Sequence, residues 1–109
     1  HDHAMKPGAL IIEDREQNGR HTLAMQGELD IATAPDLEAL MVELCTGDAR
    51  EVVLDLSDLD FLDSTGFRAI LVARELCETH GCGFFMTRGK ESVQRVFEIS
   101  GALKRLPFL

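Results

Sequence analysis

Along the chain the spacing of apolar and polar positions changes several times, and each change marks an element. Ala9 to Glu13 form a short apolar run that leads into Gln17-Asn18-Gly19-Arg20. Asn-Gly predicts a two-residue hairpin, because a type I′ turn needs positive φ at both central residues. The return strand is expected over about His21 to Gln26, with Gly27 ending it. After the connector Gly27-Glu28-Leu29-Asp30, Pro35 suits the first turn of a helix, where its missing N–H has no intrahelical partner. Leu37, Leu40, Met41 and Leu44 then recur at i, i+3, i+4 and i+7, one apolar stripe of a helix that Gly47 closes.

The second half alternates in the same way. Val52, Val53 and Leu54, within a run from Glu51 to Leu56, read as a buried central strand. Phe61-Leu62-Asp63-Ser64-Thr65-Gly66 leads into a second helix running to about His80. Its Ile70, Ala73 and Cys77 share an inward face, widened by Ala69 and Leu76. Gly81-Cys82-Gly83 breaks that helix, and Phe84 to Thr87 reads as a strand. A third helix is expected from about Glu91 to Ile99, with Val93, Val96 and Phe97 inward and Ser100-Gly101 as its stop. Leu106-Pro107-Phe108-Leu109 reads as the start of a last edge strand. Strands alternating with helices after an opening hairpin predict an α/β fold. Its sheet is mixed and largely parallel, of four to five strands, with three helices packed on it.

Composition narrows the class. A chain of 109 residues, 45% apolar and 28% charged, suffices for one compact core and is too short for two. The domain is expected over residues 6–109. His1-Asp2-His3-Ala4-Met5 reads as a tag remnant ending at an initiator methionine. The formal charge of −8 becomes −7 without Asp2, and an acidic domain of this kind repels nucleic acid and anionic membrane. No apolar run approaches the ~20 residues of a membrane helix. The odd set Cys45, Cys77 and Cys82 fits a reducing compartment and thiols packed as small hydrophobes, so a cytoplasmic location is expected.

The informative segment is Asp63-Ser64-Thr65-Gly66. Between a strand and a helix, Ser64 is expected to be the N-cap, its hydroxyl accepting from a free N–H of the first turn. On position alone it is an ordinary cap. The same place also tolerates a phosphate, which would meet free N–H groups and the positive end of the helix dipole. A phosphate would bring about −1.5 to −2 charge beside Asp63, so a partner docked there would face new bulk and charge. Phe67 and Leu71, i and i+4 on the same helix, point away from its core face and form an apolar pair beside Ser64. The bland alternative is that a neighbouring strand or loop covers them.

The order of Gly27-Glu28-Leu29-Asp30, Ala34-Pro35-Asp36-Leu37, Val52-Val53-Leu54-Asp55-Leu56 and Asp63-Ser64-Thr65-Gly66 resembles that of STAS domains. It looks most like the bacterial anti-sigma factor antagonists, with the likeness running from about Leu10 to Leu106. The resemblance implies partner switching. In that family the serine after the Asp is phosphorylated by a cognate anti-sigma factor, a serine kinase built as a histidine-kinase-like ATPase. The unphosphorylated form binds that anti-sigma factor and frees a sigma factor; the phosphorylated form does not bind, and a phosphatase resets it. Carried over, Ser64 is the acceptor and Asp63 the adjacent acidic residue. Asp30 is the family's loop aspartate, expected close to the phosphosite, and Thr65 and Gly66 complete the motif. Phe67 and Leu71 are expected to help dock the kinase. The chain departs from the family pattern at Arg68, where many relatives have a second small residue. Family members commonly continue into a further C-terminal helix, so a shortened form or one domain of a longer protein is expected. The other reading is a STAS subunit of a stress-signalling assembly, a lipid-transport system or a nucleotide-responsive regulator, without a Ser64 switch.

Other chemistry is set aside. Cys77, His80 and Cys82 span a helix end and a strand start with no fourth ligand in sequence, so no metal is expected. Arg88-Gly89-Lys90-Glu91-Ser92 fails as a phosphate-binding loop, because Phe84 stands where the earlier glycine is needed. Asp55, Asp58, Asp60 and Asp63 lack a calcium loop's alternation and read as a solvated acidic loop. Ser64 as a catalytic nucleophile would need a base, and His21 and His80 lie in no recognisable motif. Neither an enzyme nor a cofactor is expected.

Overall fold

The computed structural model describes residues 9–102 and 105–109; the tag reading for residues 1–5 lies outside the described residues. The chain opens with a hairpin of β1 (Leu10–Gln17) and β2 (Arg20–Leu29), in which Gln17 pairs with Arg20. Asn18 and Gly19, at φ 54° and 86°, form the tight turn that Asn-Gly predicts. Then follow α1 (Ala34–Cys45), β3 (Glu51–Leu62), α2 (Ser64–Thr79), β4 (Gly83–Met86) and α3 (Glu91–Ile99). The four strands form one sheet in the order β1-β2-β3-β4, antiparallel between β1 and β2 and parallel elsewhere. The fold class is therefore the expected one. The last edge strand shrinks to a single parallel bridge between Phe108 and Met86.

One core unites the layers. Leu37, Met41 and Leu44 of α1 are buried with Ala69, Ile70, Ala73 and Cys77 of α2, Val93 and Phe97 of α3, and the inward side chains of β2 and β3. Fully burying a single Leu or Phe of this set contributes about 1.5–3 kcal/mol. Leu40 and Val96, expected inward, are only half-buried at the edge of the cluster.

β2 and β3 are longer than their alternation predicts. In β3 the side chains that join the core cluster are Val52, Leu54 and Leu56, then Leu59 and Leu62, a spacing that changes from two to three. Two register slips against β2 account for it, one between Ala24 and Gln26 and one between Gly27 and Glu28. Each inserts an extra residue into β3 and resets which side chain faces the helices. Asp55, Asp58 and Asp60 consequently lie on a strand and not on a solvated loop. Gly27 is inside β2, at φ 104°, beside the second slip.

Candidate functional site

Parallel strands deliver their C-terminal ends to one edge of the sheet, the usual place for a site in such folds. Leu29, the last residue of β2, pairs with Leu62, the last of β3. The residues that come next, Asp30 and Asp63, therefore leave adjacent strands at the same level, with strands about 4.8 Å apart. The ladder runs one step further: Asp63 N–H donates to the Leu29 carbonyl at 3.3 Å.

Asp63, and not Ser64, caps α2. Its backbone is extended (φ −105°, ψ −176°), and its Oδ1 accepts from Gly66 N–H at 2.8 Å. Ser64 is instead the first helical residue, and it is exposed. The expected cap was off by one position because Asp and Ser serve as caps about equally well. Asp63 also reaches across the strands: its Oδ2 accepts from Ile31 N–H at 3.3 Å. One carboxylate thus ties the start of α2 to the loop after β2.

Asp30 shapes that loop. Its Oδ1 accepts from Ala32 N–H at 3.0 Å and Thr33 N–H at 3.1 Å, and its carbonyl accepts from Ala34 N–H at 2.8 Å. Thr33 is buried, with its hydroxyl donating to the Glu28 carbonyl at 2.8 Å and accepting from Asp30 N–H at 3.0 Å. Asp30 follows the strand that neighbours the one Asp63 follows, so the topology brings it to the same edge as Ser64. Gly66 is pressed against β2. A Cβ there would lie 2.1 Å from the Leu29 carbonyl oxygen, so only glycine lets α2 start this close to the strand. Thr65 is half-buried between the exposed Ser64 and the buried Gly66.

Phe67 and Leu71 both reach a surface groove. Phe67 is half-buried, its ring edge-to-face with Phe97 at 5.6 Å, while Leu71 is 39% exposed. Together with Arg74, Ala102, Arg105 and Leu106 they line a groove of about 240 Å³. Arg74 stitches it at one side by donating to the Arg105 carbonyl at 2.6 Å. Two exposed apolar residues at the same strand edge escaped the sequence reading. Ile31 follows Asp30 and is 72% exposed; Phe61 lies two residues before Asp63 and is 47% exposed. The signal available for each was an apolar side chain within two residues of a motif aspartate.

Away from this edge, Asp55 accepts from Ser57 N–H, Ser57 Oγ and Thr87 Oγ1 at 3.0, 2.7 and 3.0 Å. Partial burial pushes its carboxyl up, but these hydrogen bonds outweigh that and hold it below the usual aspartate value. Among the described residues no three His, Cys, Asp or Glu side chains converge as a metal-binding set. Among them, too, no helix is long and apolar enough to cross a membrane.

A four-stranded mixed sheet with an Asp-Ser-Thr-Gly turn where β3 meets α2 defines a class. The STAS domain family model matches residues 12–108, and the chain belongs to that family. Within it, the chain belongs with the anti-sigma factor antagonists. It is 37% identical over 91 residues to the protein of Bordetella bronchiseptica named "putative anti-sigma factor antagonist BtrV", covering 83% of this chain and 78% of that protein. It is 25% identical over 92 residues to the anti-sigma-B factor antagonist of Staphylococcus aureus, covering 84% of this chain and 85% of the other. In fold it is similar to an anti-sigma factor antagonist from Mycobacterium paratuberculosis, with TM-score 0.84 at 24% identity over 96% of this chain and 89% of that one. Unphosphorylated SpoIIAA is similar too, with TM-score 0.76 at 20% identity over 93% of this chain and 88% of the other.

Proposed function

We propose that this protein is a phospho-switched binding module of the cytoplasm that antagonises an anti-sigma factor. Unphosphorylated, it binds a serine-kinase anti-sigma factor of the histidine-kinase-like ATPase type and so frees a sigma factor. Phosphorylation of Ser64 ends the binding, and a phosphatase restores it. The protein itself catalyses nothing in this cycle.

The observation that carries the reading is the position of Ser64. It is exposed, it is the first residue of α2, and it sits on a frame held by Asp63, Gly66 and the Leu29 carbonyl. A kinase can reach such a hydroxyl without unfolding the domain. The phosphate would gain the first-turn amides and helix dipole, so the fold would survive modification. A docked partner would instead meet about two added negative charges next to Asp63 and Asp30. Ile31 and Phe61 supply exposed apolar area at this edge, and Phe67 and Leu71 supply more along α2. Apolar anchors beside a charge-sensitive centre suit an interface that one phosphate can open.

The test uses a histidine-kinase-like ATPase captured from the source organism's lysate on Ser64→Ala, purified and supplied with ATP. Wild type is expected to accept one phosphate on Ser64, with binding lost as it does so. Ser64→Ala should bind and stay unmodified, and Ser64→Glu should bind at least tenfold more weakly. Equal binding by Ser64→Ala and Ser64→Glu would overturn the switch.

A further inference from the structure

The end of α2 remote from Ser64 carries a second cluster of reactive side chains. Cys45 is the last residue of α1, Cys77 lies in the last turn of α2, and Cys82 stands just before β4. All three are free and buried. The Cys45 and Cys77 Sγ atoms are 3.6 Å apart although 32 residues separate them in the chain. That is van der Waals contact between sulfurs, and small side-chain rotations would bring it to a bond of about 2.05 Å.

We propose that Cys45 and Cys77 form a reversible disulfide, made by exchange with a low-molecular-weight disulfide such as oxidised glutathione. The Cys45 sulfur attacks the small disulfide, giving a mixed disulfide and releasing one small thiol. The Cys77 sulfur then attacks the Cys45 sulfur, forms the Cys45–Cys77 bond and releases the second small thiol. Two protein thiols are oxidised, one external disulfide is reduced, and the two protons leave on the departing thiols.

The order follows from the surroundings. Burial, with the Cys45 thiol next to it, pushes the Cys77 thiol up, and burial likewise raises Cys82. Cys45 closes its helix and precedes the exposed Thr46 and Gly47, where fraying of a helix end admits a reagent. The bridge would clamp the C-terminal ends of α1 and α2 together. It would do so about 20 Å along α2 from Ser64, given 1.5 Å per residue. This site stands independently of the Ser64 switch.

The experiment treats the folded full chain with oxidised glutathione, alkylates the remaining thiols and maps the peptides by mass. Wild type is expected to lose two hydrogens in intact mass, to yield a Cys45–Cys77 linked peptide pair and to keep one alkylated thiol at Cys82. Cys82→Ser should give the same link, and a dithiol reductant should reverse it. Cys45→Ser should give no link. Cys77→Ser should give none either, and because its site is in the core, Cys45→Ser carries the control if that variant does not fold. A Cys77–Cys82 link, a persistent glutathione adduct without a cross-link, or three unmodified thiols after prolonged treatment would each overturn the assignment.

Discussion

Replacing Gly66 by alanine sets two physical effects against each other. Inside a helix, Gly→Ala ordinarily stabilises by about 1 kcal/mol, because alanine gives up less backbone freedom. At Gly66 the new methyl would sit 2.1 Å from the Leu29 carbonyl oxygen, 2.8 Å from its carbon and 2.9 Å from Leu62 Cδ1. The first two atoms are strand backbone and cannot rotate aside, so α2 must retreat from β2 by on the order of 1 Å to reach ordinary contact. Overpacking of this kind costs about 1–3 kcal/mol. The retreat also strains the 2.8 Å hydrogen bond from Gly66 to Asp63, a cap that contributes about 1 kcal/mol. After the propensity gain is subtracted, a net loss of about 1–3 kcal/mol remains. Urea denaturation followed by circular dichroism reads it as a midpoint lowered by about 1 M, with a slope of about 1–3 kcal/mol per M. A Gly66→Ala midpoint equal to or above wild type would show that α2 does not rest on the β2 backbone and would refute the reasoning.

Three further outcomes are expected. Asp63→Ala removes both the α2 cap and the acceptor for Ile31 N–H, and should cost about 2 kcal/mol while raising amide exchange at Ile31 and Gly66 together; unchanged exchange at Ile31 would deny the link between loop and helix. Ile31→Ser removes an apolar side chain that is 72% exposed, so stability should move by no more than about 0.5 kcal/mol. Binding of the kinase should fall about tenfold or more in titration calorimetry, and undiminished affinity would exclude Ile31 from the interface. Asp55 has its folded pKa held below the unfolded value, so its contribution is complete above the ordinary aspartate range and is lost as pH falls through the folded pKa. Asp55→Asn should therefore flatten the loss of stability between pH 7 and about pH 3, and a pH profile parallel to wild type would count against it.

How far the sequence reveals this protein depends on where local signals are unambiguous. Asn18-Gly19 marks the hairpin because few other residues accept positive φ at both positions. The stripe through Leu37, Met41 and Leu44 marks α1 because its core-facing period is unbroken. The end of β3 is different. Its inward side chains step from Leu56 to Leu59 to Leu62, and no period-2 pattern survives that spacing. Only the partner strand explains the two inserted residues, and a register slip is a property of the pair. The same limit separates Asp63 from Ser64 as the cap of α2. Either side chain could cap a helix beginning there, and the choice falls to the Leu29 carbonyl and Ile31 amide, which lie more than thirty positions away in sequence.

These non-local features also account for the site. Without the slips, strict alternation from Leu56 would turn Asp58 and Asp60 inward and Leu59 outward, and Leu59 and Leu62 could not both be buried on the core face. With Leu62 anchored beside Leu29, Asp63 leaves the strand in line with the loop that Asp30 folds. Its carboxylate can then hold Gly66 on one side and Ile31 on the other. Ser64 is left as the first exposed residue past that clamp, with its backbone fixed and its side chain outside. Under the proposed switch, a phosphate in this position would change what a partner meets far more than it would change the fold. That asymmetry is what a binding switch requires. It also explains why a glycine two residues on is as necessary to the site as the serine itself, since a displaced α2 would carry Ser64 away from Asp30 and Ile31 together.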